Sequence, residues 1–150
     1  MTKDSALRLL RRILSVFPAA SVCLLLGGCI GSRSADVDVD LAGMSSTVVY
    51  SEVFNMMMDP EPYVGKSIRM DGTLNIYHSQ DGETTYFACL IADATECCAQ
   101  GIEFVWEGEH DYPDDYPPED SEIEVCGVFN SYEEHGQTFY HVTDATLDRI

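Results

Sequence analysis

After Pro62 the chain is a succession of short apolar runs, each closed by turn residues, and this pattern constrains the fold more than any other feature. Lys66 to His78 (KSIRMDGTLNIYH) alternates Ile68, Met70 and, past Gly72, Leu74 and Ile76 on one face; Gly72 suits a bulge or a sharp coil in the strand. Ser79-Gln80-Asp81-Gly82 supplies a turn, and Thr84 to Asp93 (TTYFACLIAD), the most apolar run, predicts a buried central strand. Ile102 to Trp106 predicts a third strand, Glu122 to Tyr132 a fourth and Thr138 to Val142 a fifth, with Glu133-Glu134-His135-Gly136 as a hairpin loop. Between the third and fourth, Glu107 to Asp120 carries Pro113, Pro117, Pro118 and many carboxylates, which predicts an irregular connection without a helix.

Ahead of the strands, Val49, Val53 and Met57, joined by Tyr50 and Phe54, recur at helical spacing behind Ser45 or Ser46, and Pro60 ends the run after Met58. One amphipathic helix follows. Met56-Met57-Met58 offers soft thioether ligands for copper, but flexible Met side chains filling gaps beneath a docked helix is the reading the spacing supports. A helix and five short strands, the first kinked at glycine, predict a mainly β domain: a small five-stranded barrel of the OB type preceded by one amphipathic helix. The phrase Tyr63-Val64-Gly65-Lys66-Ser67-Ile68-Arg69-Met70-Asp71-Gly72 resembles the opening of OB-like domains in bacterial envelope proteins. Tyr116-Pro117 with Glu122-Ile123-Glu124-Val125-Cys126-Gly127-Val128-Phe129 resembles their fourth strand, so the resemblance spans about residues 60 to 148. Such a fold does not by itself fix a function.

The first 28 residues read as a leader. Lys3, Arg8, Arg11 and Arg12 precede an apolar stretch from Ile13 to Leu26, and Leu26-Gly27-Gly28-Cys29 places small residues before a cysteine. Cys29 resembles the lipid-accepting first residue of mature bacterial lipoproteins; Cys23 follows the bulkier Val22 and fits less well. The competing uncleaved anchor would be short for a bilayer and would contain Pro18. Either reading puts the rest of the chain on the extracytoplasmic face of the cell membrane. Residues 29–43 (the lipidated Cys and a Ser-, Asp- and Gly-rich stretch) read as a flexible tether, and 44–150 as the barrel domain with its helix. The Asp36-Val37-Asp38-Val39-Asp40 alternation could mark a strand, but its carboxylates favour a solvated linker, and it lacks the Gly and terminal Glu of an EF-hand loop. The leader holds four of the eight Lys and Arg but only one of the 26 Asp and Glu, so the mature chain carries four against 25, a charge of −21. Nucleic acid and anionic lipid headgroups would be repelled, and Tyr86, Phe87 and Tyr140 lack the interleaved Lys and Arg of a base-stacking platform.

Beyond Cys23 and Cys29, four cysteines remain: Cys89, Cys97, Cys98 and Cys126. In an exported domain they are disulfide candidates, with Cys97 or Cys98 each pairing Cys89 or Cys126 rather than its neighbour. They are also metal candidates. Cys89, Ala92-Asp93-Ala94 and the following Gly101 resemble the C-C-x-A-D-A segment in the OB-like part of a bacterial membrane protein family linked to zinc handling, with Leu90 in place of that motif's second cysteine. The resemblance implies a metal role at Cys89 and Asp93; Cys97 and Cys98, a few residues on, supply the further thiolates of a four-ligand zinc site, with Cys126, Asp93, His78 or His141 as completing ligands. Thiol redox chemistry is the third reading. The signatures G-x-S-x-G, H-E-x-x-H and C-x-x-C are absent, His110 and His135 fall in polar loops, and the repeated Asp93-Ala94-Thr95 and Asp144-Ala145-Thr146 read as two turns. The sequence therefore predicts a non-enzymatic, lipid-anchored binding or interaction module of the envelope, with an envelope protein or a metal ion as its partner and zinc handling as the alternative. Replacing the lipid acceptor, Cys29→Ser, should release the protein from the membrane fraction into the soluble fraction; retention would point to an uncleaved helix.

Overall fold

The computed structural model describes residues 37–79 and 82–150; the expected leader, Cys29 and residues 30–36 lie outside the described residues, as do Gln80 and Asp81 of the first turn. Along the chain come β1 (Val39–Asp40), α1 (Ser46–Met58), a 3-10 turn (Glu61–Tyr63), β2 (Ser67–His78), β3 (Thr85–Ala92), β4 (Ala99–Trp106), β5 (Glu122–Glu134) and β6 (Gln137–Arg149). Mainly β, the fold is a six-stranded mixed sheet with one α-helix. No helix among the described residues is long and apolar enough to cross a membrane.

β2 has two antiparallel partners in succession: β5 along Ser67 to Thr73 and β3 along Thr73 to His78. β3 continues antiparallel to β4, β4 runs parallel to β6, and β6 pairs antiparallel with β5. Hydrogen bonding thus returns to β2, and β2, β3, β4, β6 and β5 form a ring. The predicted alternation fills its interior: Ile68, Met70, Leu74, Cys89, Ile102, Phe104, Ile123, Val125, Phe129 and Val142 are all buried. Gly72 stands where β2 changes partner. A Cβ there would lie 2.4 Å from the Leu90 carbonyl oxygen and 2.6 Å from Cys89 Sγ, so only glycine lets the two strands come this close.

A second corner forms where β5 meets β6. Between Cys126↔Thr146 and Val128↔Thr143 the register advances two residues on β5 and three on β6, an irregularity that accommodates Asp144 at φ 50°. A Cβ on Gly127 would sit 2.5 Å from the Thr143 carbonyl oxygen. This corrects two expectations. The last strand runs past Val142 to Arg149, and Asp144-Ala145-Thr146 is strand rather than turn, with Ala145 buried in the core. The extra residue breaks the alternation by which a strand is recognised. The last hairpin is also tighter than expected: only His135 (φ 50°) and Gly136 (φ 77°) connect β5 to β6, in the left-handed conformation that two-residue hairpin turns favour. β4 starts at Ala99 rather than Ile102, its first residues paired to Ile91 and Ala92 through backbone alone.

α1 begins and ends as predicted, but its buried stripe is Val53 and Met56 with Val49 partly covered; Met57 and Phe54 face solvent. Packing beneath the helix therefore uses the first methionine of the triple rather than the second. Nor is the stretch before Met44 all tether. Val39 and Leu41 are buried, β1 lies parallel along Ile68 and Arg69, and the Asp38 carboxylate accepts hydrogen bonds from Ser67 N–H and Oγ–H. These bonds hold the Asp38 carboxyl below its usual range. Asp40 receives both Nε–H and an Nη–H of Arg69 at 2.9 Å. Solvent screens that partly exposed pair, and burial of Val39 and Leu41 is what seats the segment.

Glu107 to Ser121 has no helix, as predicted, but its aromatic side chains are organised. Tyr116 stacks on Phe87 (centroids 3.9 Å apart) and His110 on Trp106 (3.5 Å), with His110 Nε2–H donating to the Glu107 carbonyl. His110 thus anchors this connection rather than lying idle in a polar loop. Gly72→Val should lower unfolding free energy in a denaturant titration by about 3 kcal/mol, the upper range for overpacking. An unchanged midpoint would mean that β2 and β3 do not approach at Leu90 as described.

Candidate functional site

Because inward and outward positions alternate, each core residue of the ring has an outward neighbour, and on one side those neighbours converge. Tyr77 of β2 and Tyr86 of β3 stand opposite each other, as do Tyr132 of β5 and Phe139 of β6. Glu103 of β4 lies between the two aromatic pairs, in register with Ala88 and His141. With Ser79, Glu134 and His135 these residues line an open cavity of about 730 Å³. The Tyr132 and Phe139 rings are stacked at 5.5 Å.

Two charged hydrogen bonds fix the cavity. Tyr86 Oη–H donates to Glu134 Oε1 at 2.7 Å, tying β3 to the far end of β5, and Tyr132 Oη–H donates to Glu103 Oε2 at 2.8 Å. Tyr132 is pushed above the usual phenol range by burial first and by the Glu103 hydrogen bond second; in Tyr86 the Glu134 hydrogen bond is the larger cause. His141 lies 4.6 Å from the Tyr132 ring, with Nδ1 buried and 3.7 Å from Glu103 Oε1, too far for a hydrogen bond. The three cations among the described residues lie elsewhere. Lys66 is over the Tyr63 ring, Arg69 binds Asp40, and Arg149 stands opposite Ile123 at the end of β6.

At the opposite end of β3 the turn to β4 gathers thiols. Asp93 Oδ1 accepts from the backbone N–H of Thr95 (3.0 Å) and of Cys97 (3.1 Å), winding the turn around the carboxylate. Cys97 Sγ is 3.4 Å from Asp93 Oδ2 and 3.6 Å from Cys98 Sγ. Desolvation pushes the Asp93 carboxyl up, but the hydrogen bonds from Cys97 and Thr95 together outweigh it and hold the group low. Cys98 moves the other way: the hydrogen bond and charge of Cys97 raise its thiol. Among the described residues, Asp93, Cys97 and Cys98 are the one group of three ligating side chains close enough to share an ion, their donor atoms within 4.8 Å of one another.

Of the residues the sequence singled out, the structure joins Asp93, Cys97 and Cys98 and separates the others. Cys89 sits opposite Ile102, three strand positions or about 10 Å from the turn, beyond the Cα separation of a disulfide. Wholly buried, it has its thiol pushed up to about 12 by desolvation and then by the nearby Asp71 charge, so it holds its proton and packs as an apolar group. Cys126 is in register with Arg69, five positions along β2 from Leu74, the partner of Cys89, and on the other face. The expected bridges from Cys97 or Cys98 to Cys89 or Cys126 are therefore not formed. His78 pairs with Thr85 at the far end of β3, and His141 packs against the Tyr132 ring, so neither completes a ligand set at the turn. The cavity passed unnoticed as a unit in the sequence because its residues come from five strands and two hairpin loops, and its strand residues occupy the outward positions beside core residues.

No protein-family model matches the chain, and no curated protein matches it. The tyrosines give a pH signature. A proton held more tightly in the folded state supports stability below the unfolded phenol value of about 10 and ceases to do so as pH rises toward the folded value. Folding stability should accordingly fall above about pH 10, and less steeply in Tyr132→Phe, as read by denaturant titrations across alkaline pH; the same slope in both proteins would contradict a Tyr132 proton held by burial and Glu103.

Proposed function

We propose that the protein is a non-enzymatic binding module of the bacterial cell envelope, anchored on the extracytoplasmic face by lipid on Cys29, with an OB-like barrel that takes its ligand in the Tyr and Glu cavity. Supporting the barrel reading, the closed order β2, β3, β4, β6, β5 combines one parallel pair with antiparallel neighbours, and β2 is shared between two partners. The observation that carries the function is where the cavity lies. Ligands of OB barrels use the face of the second and third strands, between the first and last hairpin loops. Here β3 and β4 supply Tyr86 and Glu103, while the first and last hairpins supply Ser79 and His135. Acidity excludes nucleic acid from that face, since phosphate binding depends on Lys and Arg. The test is an NMR titration of the full chain with a panel of amines, sugars and short peptides. Shifts confined to Tyr77, Tyr86, Glu103, Tyr132 and Phe139 with any class would support a ligand-binding cavity, and no saturable shifts there would overturn it.

The alternative is a metal-binding role, favoured by the convergence of Asp93, Cys97 and Cys98. Two thiolates and a carboxylate supply three of the four ligands of a tetrahedral zinc ion, the exposed turn leaving the fourth position to water or a partner's side chain. Native mass spectrometry should then find one zinc per chain, lost in the Cys97→Ser, Cys98→Ser variant; an equal zinc load in both proteins would dismiss the turn as the site.

A further inference from the structure

We infer that the cavity selects an organic cation, an ammonium group carried on a short carbon skeleton, which is a deeper reading of the same binding site and rests on it. Its lining is largely aromatic and its acidic groups are two carboxylates: Tyr77, Tyr86, Tyr132 and Phe139 line it together with Glu103 and Glu134, beside Ser79 and His135. A cation over such rings is attracted by their negative faces, and adjacent carboxylates add a charge-assisted partner. Among the described residues no Lys or Arg lines the space, so none of them neutralises the two negative charges from within.

Hydrogen-bond inventory narrows the class. The hydroxyl protons of Tyr86 and Tyr132 are already committed to Glu134 and Glu103, so these phenols do not offer them to a ligand. Each carboxylate keeps acceptor capacity after receiving one phenol. The cavity therefore presents two charged acceptors, which suits an ammonium group with N–H donors, beside the Tyr77, Ser79 and His135 side chains, which can also donate. A neutral sugar would leave both carboxylate charges uncompensated, and an anion would meet them directly. A bare divalent ion fits no better, because Glu103, Glu134 and His135 do not converge as the Asp93 turn does. At about 730 Å³ the space accommodates a small organic molecule rather than a lone ion.

The experiment is calorimetric titration of the full chain with spermidine, with a lysine-containing tripeptide and with a neutral disaccharide, at low and at physiological salt. Saturable binding of spermidine or of the tripeptide is expected at both salt levels, and the preferred one tells a free amine from a basic side chain of a protein. Glu103→Gln with Glu134→Gln should weaken it about tenfold or more, and Tyr77→Ala, at an exposed strand end where folding is not at stake, should weaken it severalfold. Neutralising two carboxylates outside the cavity, Asp114→Asn with Glu119→Gln, should leave affinity within about twofold. Equal losses from both double variants would reduce the effect to diffuse charge and overturn the inference. Disaccharide binding sensitive to Tyr77→Ala, without amine binding, would overturn the cation while leaving the cavity reading in place. No binding by any of the three probes would overturn the cation too, and the broader NMR panel then decides the cavity.

Discussion

The closure of the ring at Thr73 governs the rest of the molecule. Up to that residue β2 is held by β5, and from it onward by β3, so a single strand closes the sheet. The chain can turn this corner because Gly72 leaves the space that the Leu90 carbonyl and Cys89 thiol occupy. One consequence is the wholly buried Cys89; another is the second corner at Gly127, where β5 must bend to meet both β2 and β6. Backbone contact at these two points replaces side-chain packing, and the apolar residues on either side fill the enclosed volume.

Ring closure also makes the cavity, through unequal strand lengths. β3 and β4 have eight residues each, whereas β5 and β6 have 13 and β2 has 12. The cavity walls come from two hairpin arms: in the first, Tyr77 and Tyr86 pair near the end of β2 and β3, and the second carries Tyr132 and Phe139 where β5 and β6 run on past His141, the first β6 residue paired to β4. The bond from Tyr86 to Glu134 ties the second arm to β3, so the cavity shape is held by a hydrogen bond as well as by backbone pairing. A short charge-assisted bond of this kind acts at a distance of 48 residues along the chain, which makes the arm part of the sheet rather than a free hairpin.

Where burial imposed strict alternation, the sequence was legible: Ile68, Met70 and Leu74 in β2, and Val125 and Phe129 in β5, mark strands by period alone. Legibility failed where backbone geometry broke that period. Asp144 inserts one extra residue in β6, so Ala145 and Leu147 fall out of phase with Val142. β1 is two residues long and flanked by carboxylates, and those carboxylates turn out to be partners for Ser67 and Arg69 rather than signs of a solvated linker. Asp93, Cys97 and Cys98 were named in the sequence together with Cys89, which the fold holds apart from their turn, whereas Tyr77 and Phe139 are joined only by tertiary structure.

In the proposed binding of an organic cation, net charge and cavity play separable parts. Three cations among the described residues, set against many carboxylates, surround the domain with a negative field that draws any cation, but beyond about 10 Å salt at 0.1 M screens it. Such a field speeds encounter without choosing among positively charged ligands. Choice requires contacts inside the range where screening is weak, and there the relevant groups are few: the ring faces of Tyr77, Tyr86 and Tyr132 and the carboxylates of Glu103 and Glu134. Each phenol that donates to a carboxylate also gains negative character on its ring, so the hydrogen bonds that shape the cavity strengthen its attraction for a cation. Association rate would therefore follow the whole acidic surface and salt, while residence time would follow these five side chains.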